Sequence, residues 1–551
     1  MDNKMDNRAD NKVDNKMNNK IHFKIDNKKL FVRIAASAIA VIFILFIGFQ
    51  MCSKEERPTG SSTLEISVVD LGYGVDWVKN AAERYEELND GVTVNVYVFE
   101  GDVDSTLQAG PLVTTTDILM PEYSTHLRLV RETLDDGSPI LADLTDAYNI
   151  VVEGETKTVK QRLYKSIEEA YNYCETDKYY AFPVINDING LYYNKEMFEE
   201  HGWSVPRTTD ELLETATTIS KTIYPFIWFP GYWNYCLPVW WAQYEGLETY
   251  FNYFHPTQEI RPSNENSQYK KQKGNEYALE VLNQIVNPSL HSGFNYPGCI
   301  SAIFTDIQTN FLLGKAAMIP NGGWLENEMA DEANGTDVRV MKLPVISKLG
   351  EKLGITESVL RQLIDYVDGE ITDVPEFTSS KGFSKQEVVE AVKKARSLNS
   401  SSVSYAYPAL VPAYSDAIPL AKDFLAWLTS SEARKIIFET AGIMPCTTSE
   451  NDLETKRTYS KFRNSKIEIY GMEEYEIVPM VNMSNPFYFV PNFMAYSANP
   501  YPAKMFGAQS EKDRMSVSEF LQKEIQHLDK DWDYTWNYVN AHLAKPIGGS
   551  N

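Results

Sequence analysis

The sequence predicts an α/β fold built as more than one lobe. Two observations carry this. The first is a strand, helix, strand order near residues 64–98, which implies a parallel sheet. The second is length: 551 residues exceed what one hydrophobic core usually supports.

The elements follow in order. Residues 64–69 alternate apolar and polar, as a half-buried strand does. Residues 76–88 place Val78, Ala81, Ala82 and Tyr85 on one helical face. Residues 92–98 (VTVNVYV) alternate cleanly, and residues 116–120 form a further short strand ending at Pro121-Glu122-Tyr123. Ligands in such sheets bind beyond the carboxyl ends of the strands. The loops 71–75, with Tyr73, and 121–124, with Tyr123, are therefore candidate cleft loops.

The stretch 180–214 reads YAFPVINDINGLYYNKEMFEEHGWSVPRTTDELLE. It predicts a strand over 181–185, polar Asn186, Asp187 and Asn189, then a second strand at Leu191-Tyr192-Tyr193. Asn194 opens a short helix, and Thr208 with Glu211 forms a capping box ahead of another. Farther on, Ala316 to Ile319 reads as a strand, followed by Gly322-Gly323-Trp324. Residues 347–402 carry two helical patterns, Leu360/Leu363/Ile364/Val367 and Val388/Ala391/Val392/Ala395, the second behind a Ser384–Glu387 capping box.

The amino-terminal part differs in kind. Residues 1–33 are a basic tract of DNK-like units with nine Lys/Arg and five Asp, a composition expected to be disordered. Residues 34–51 contain no charge and form a signal or anchor segment, with the basic tract on the cytoplasmic side. Residues 52–62 form a polar linker opening on Cys52. Cys52-Ser53-Lys54 is similar to the start of a mature bacterial lipoprotein, although Phe49-Gln50-Met51 lacks the small residue expected before a lipidated cysteine. Either a lipid on Cys52 or an uncleaved helix would tether the rest outside the membrane.

The net charge of −24 argues against nucleic acid as a partner. The five cysteines show no zinc spacing, and a disulfide among Cys174, Cys236, Cys299 and Cys446 stays open. No P-loop, GxSxG or HExxH occurs, and no pair of histidines has metal-ligand spacing, so neither catalytic residues nor a metal or cofactor is expected. Gly72-Tyr73-Gly74 lacks the third glycine of a dinucleotide fingerprint, because Trp77 stands there. The unusual signal is aromatic, with 33 Tyr and 10 Trp. Residues 228–241 (WFPGYWNYCLPVWW) and 487–501 concentrate it, and flat aromatic faces suit the C–H faces of sugar rings.

Three blocks, in order, carry a resemblance to a known family. Residues 180–214 resemble its Y-x-x-P…G-L-x-Y-N-K-x-x-F…P-x-T-x-x-E-L block. Residues 311–326 (FLLGKAAMIPNGGWLE) and 420–445 (LAKDFLAWLTSSEARKIIFETAGIMP) resemble two others. The chain is thus similar, over roughly residues 62–550, to the family 1 extracellular solute-binding proteins, the capture subunits of bacterial ABC importers.

That resemblance implies a two-lobed periplasmic-binding-protein fold of type II, closing on its ligand at a hinge. Lobe one would take 62–184 and 412–450, lobe two 185–411 and 451–551, with 347–402 a helical insertion. It implies capture of a carbohydrate, most simply an oligosaccharide, by a membrane-tethered monomer that serves ABC permease subunits. The ligand residues it implies are Trp324 by stacking, Tyr232 and Trp233 as a second aromatic platform, Glu122 as a hydroxyl acceptor, and Asn186 and Asp187 at the first crossing. A surface sensor feeding a membrane kinase, a ferric-ion binder and, remotely, a glycan-processing enzyme are the alternatives.

Overall fold

The computed structural model describes residues 62–121, 129–254, 260–330, 335–401, 407–449, 451, 453–472, 474–478, 487 and 501–543. Its first sheet is parallel and three-stranded: β1 (Thr63–Val68) lies between β2 (Thr93–Val98) and β3 (Ile118–Met120). The alternation of β1 is realised in its burial, with Leu64, Ile66 and Val68 all inside. Helix Asp76–Leu88 covers this sheet with Trp77, Val78, Ala81, Ala82 and Tyr85. Tyr85 also packs edge-on to Phe424 and donates to Asp423, so helix Ile418–Trp427 joins the same lobe despite lying more than three hundred residues away.

The second sheet has six strands in the order β5-β6-β4-β8-β9, with β7 also paired to β4. These are β4 (Ile188–Asn194), β5 (Tyr224–Phe226), β6 (Ala316–Asn321), β7 (Val338–Val340), β8 (Leu398–Ser401) and β9 (Glu476–Val478). Every residue of β4 is buried, which explains its unbroken apolar centre: both faces are covered. Helix Lys461–Tyr470 covers one face, where Phe462 stacks on Tyr192 with centroids 5.3 Å apart. The turn Pro230–Tyr235 packs on β4 and β6.

Several sequence expectations change in the structure. The strand expected over 181–185 is reduced to one bridge, Phe182 with Ala409, since Pro183 has no amide hydrogen to give a ladder. The second strand is longer than expected and begins at Ile188. Only half of the Thr208 box forms. Thr208 accepts from the Glu211 amide, but the Glu211 carboxylate goes to the backbone amide and guanidinium of Arg207. The Ser384–Glu387 box is complete.

Ala409 and Leu410, expected in lobe two, pair with Phe182 and Leu119, expected in lobe one. Residues 347–402 do hold helices, Lys348–Leu353, Glu357–Val367 and Lys385–Ser397, but they end in β8, an interior strand of the sheet. That end of the segment is part of the lobe's framework. Cys174, Cys236, Cys299 and Cys446 are all free thiols. Among the described residues no helix is long and apolar enough to cross a membrane; residues 1–61, with the 34–51 segment and Cys52, lie outside them.

Candidate functional site

The two lobes meet where the loop after β1 approaches the loop after β6. Gly72-Tyr73-Gly74 turns tightly, with Gly74 at φ +65°. A Cβ on Gly72 would lie 3.0 Å from the Trp324 side chain, so the loop passes close against that indole. Tyr73 then points across, and its hydroxyl donates to Asp187 Oδ2 at 2.9 Å.

Trp324 is only partly buried and is ringed by tyrosines from both lobes. Tyr73, Tyr232 and Tyr235 stand edge-on to it, at centroid distances of 6.2, 5.9 and 5.9 Å. Tyr232 and Tyr235 stack on one another at 5.4 Å. Edge-on contacts set the positive rim of one ring against the negative face of another and fix the cluster's geometry. The fold admits this cluster because Gly322 has no side chain. A Cβ there would fall 2.0 Å from an atom of the Trp324 ring.

Beneath the cluster lies a buried ion pair. Lys466 Nζ sits 3.1 and 3.0 Å from the two carboxylate oxygens of Asp187, and both side chains are essentially unexposed. The same ammonium donates to the carbonyls of Gly442, at 2.6 Å, and Gly323, at 3.3 Å. Asp187 is completed by the Ile188 amide at 2.8 Å. Gly323 is confined as well, since a Cβ there would lie 2.1 Å from Asp187 Oδ2. The pair therefore ties the first crossing, the Trp324 loop and the end of helix Ser431–Ala441 together. Tyr192 lies next to it. Burial, reinforced by the Asp187 charge, pushes its phenol well above the ordinary range, and its hydroxyl donates to the Ile188 carbonyl.

The sequence-derived residues thus divide. Trp324, Tyr232 and Tyr73 come together. Trp233 does not: its ring is fully buried against Phe226 and Trp240, so it belongs to the core of the second lobe. One residue's difference in a tight turn sends Tyr232 and Trp233 in opposite directions. Asn186 is wholly buried; its side chain donates to the Pro445 carbonyl and its amide to that of Met444, joining two crossings. Asp187 is engaged by Lys466 and Tyr73. Glu122 and Tyr123 lie outside the described residues. Sequence reasoning missed Tyr235, although it stands in the same aromatic run. It also missed Lys466, whose acidic partner is 279 residues away and which carries no local signal.

Two α/β lobes joined by several crossings, with an aromatic cluster and a buried ion pair at their junction, define a two-lobed binding fold. The model of the family described as bacterial extracellular solute-binding protein matches residues 80–464, and this chain belongs to that family. A curated relative, the diacetylchitobiose binding protein NgcE of Streptomyces coelicolor, is 24% identical over 312 residues. That match spans 55% of this chain and 60% of the relative's length. Among solved structures, an ABC substrate-binding protein from Listeria monocytogenes in complex with cycloalternan superposes with a TM-score of 0.52 at 18% identity, over 86% of this chain and 99% of the other. A chitin oligosaccharide binding protein gives a TM-score of 0.51 at 16% identity, over 86% of this chain and 100% of the other. At such identities these structures speak to the fold.

Proposed function

We propose that this chain captures a carbohydrate between its lobes outside the cell and delivers it to an ABC importer, making and breaking no bonds. One observation carries the reading. Trp324, an indole left partly exposed at the lobe junction, is held by tyrosines of both lobes, an apolar platform of the kind a pyranose ring rests on. The diacetylchitobiose-binding relative supports an oligosaccharide in particular. Closure follows from the ligand touching both lobes, so that it favours the closed form by its extra contacts there. The uncharged 34–51 segment, or a lipid on Cys52, holds the domain at the outer face of the membrane.

The experiment is a thermal-shift screen of the chain from Thr63 onward against N,N′-diacetylchitobiose, longer chitin oligosaccharides, malto-oligosaccharides and cycloalternan, with ferric citrate as the non-sugar arm. At least one glycan raises the melting temperature in a concentration-dependent way. A response to ferric citrate with none to any glycan would sink the carbohydrate reading.

A further inference from the structure

The second sheet carries buried polar groups that the fold leaves without partners. Asn189 in β4 is 3% exposed, and among the described residues neither its amide nitrogen nor its amide oxygen meets a hydrogen-bond partner. Its register partner in β8 is Ser400, 2% exposed, whose hydroxyl is also without one. Directly opposed residues of an antiparallel pair share a face of the sheet. The two side chains therefore stand side by side, two donors and acceptors with nothing to bind.

On the other flank of β4, Gly190 pairs with Asn321. Gly190 follows Asn189 in β4, and Asn321 is the last residue of β6, directly before Gly322-Gly323-Trp324. The Trp324 indole occupies the place where a Gly322 side chain would project. The Asn189–Ser400 pair thus lies one residue from the end of β6 that leads into Trp324, on the sheet where the turn bearing Tyr232 and Tyr235 packs. Buried polar groups left unmade are costly, and a site that keeps three of them next to an aromatic platform is built for a polar ligand edge.

We propose that Asn189 and Ser400 form the hydrogen-bonding edge of the ligand site and take adjacent hydroxyl groups of the sugar ring that stacks on Trp324. This rests on the carbohydrate reading above. An amide presents a donor and an acceptor side by side, and two neighbouring ring hydroxyls can meet both at once. A ring lying on the indole directs its equatorial hydroxyls outward, and those on its sheet-facing edge would meet Asn189 and Ser400. The pair would then read hydroxyl configuration, because an epimer that turns one hydroxyl away leaves a buried group unpaired.

The test uses Asn189→Leu and Ser400→Ala. It measures the urea midpoint without ligand and, by calorimetry, the Kd for N,N′-diacetylchitobiose and for disaccharide pairs that differ at one hydroxyl, such as cellobiose and lactose. We expect Kd to rise about tenfold or more in each variant, the ligand-free midpoint to hold or increase, and discrimination within an epimer pair to shrink. Sugars bound as tightly by both variants as by the wild type, with a lowered midpoint, would mean that the pair holds a structural water and would overturn the subsite alone. A wild-type protein that binds no sugar offered would overturn the carbohydrate reading, and the occupant assigned here with it.

Discussion

Replacing Lys466 by Met tests whether the buried pair under the aromatic cluster is a structural joint. Methionine keeps most of the stem's volume and removes the charge. Asp187, wholly buried, would be left as an anion with only the Tyr73 hydroxyl and the Ile188 amide to hold it, while the carbonyls of Gly323 and Gly442 lose a donor. Removing one partner of a buried pair costs about 3–5 kcal/mol, far more than the ~0–1 kcal/mol of a surface pair. The assay is urea unfolding followed by tryptophan fluorescence. The Lys466→Met variant should unfold at clearly lower urea, and adding Asp187→Asn should recover part of the loss by removing the stranded charge. Because the lysine holds the Gly323 carbonyl beside Trp324, ligand affinity should fall as well. A single variant within about 1 kcal/mol of wild type, with unchanged affinity, would refute the joint.

Three further outcomes are expected. Trp324→Ala should weaken sugar binding roughly ten- to a hundredfold with modest loss of ligand-free stability, whereas Trp233→Ala should cost about 3–5 kcal/mol of stability as a core deletion; calorimetry and urea unfolding on both variants separate the roles. Burial pushes the Asp368 carboxyl up, but Arg396 at 2.8 Å and Lys342 at 3.0 Å outweigh it and hold it below the usual range. A carboxylate lowered by folding stabilises the protein above its unfolded value, about 3.9, and the contribution is lost as pH falls from there through the folded value, so urea midpoints below about pH 4 should drop less steeply in Asp368→Asn than in wild type. Burial raises the thiols of Cys174 to about 11 and Cys299 to about 12, and those of Cys236 and Cys446 also rise, so a disulfide-exchange reagent at pH 8 should react slowly with these four until the protein is denatured. The denatured full-length chain then releases five equivalents if Cys52 is unmodified and four if it carries a thioether.

What the sequence determined by itself was local or periodic. The alternation of β1, the apolar face of helix Asp76–Leu88 and the complete Ser384–Glu387 cap follow from patterns a few residues long, and the structure keeps them; β2 forms a strand, but of its alternating valines Val94 is buried and Val98 is exposed. The family, too, was legible, because its three blocks are contiguous runs and the family match spans them. Trp324, inside one of those blocks, and Tyr232, in the aromatic run 228–241, stand out in the sequence as candidates. What only the tertiary structure decided depends on residues distant in the chain. Trp233 looks as available as Tyr232 in the sequence, and it is the direction of the turn over the sheet that buries it against Phe226 and Trp240. Asp187 reads as a free acceptor until helix Lys461–Tyr470 brings Lys466 onto it across 279 residues. Residues 398–401 have no strong strand signal, since LNSS is short and polar. They become an interior strand because β4 and β9 offer backbone partners on both sides. Side-chain pattern fixes local conformation, whereas partners for buried polar groups are supplied by whatever the chain's return path places beside them.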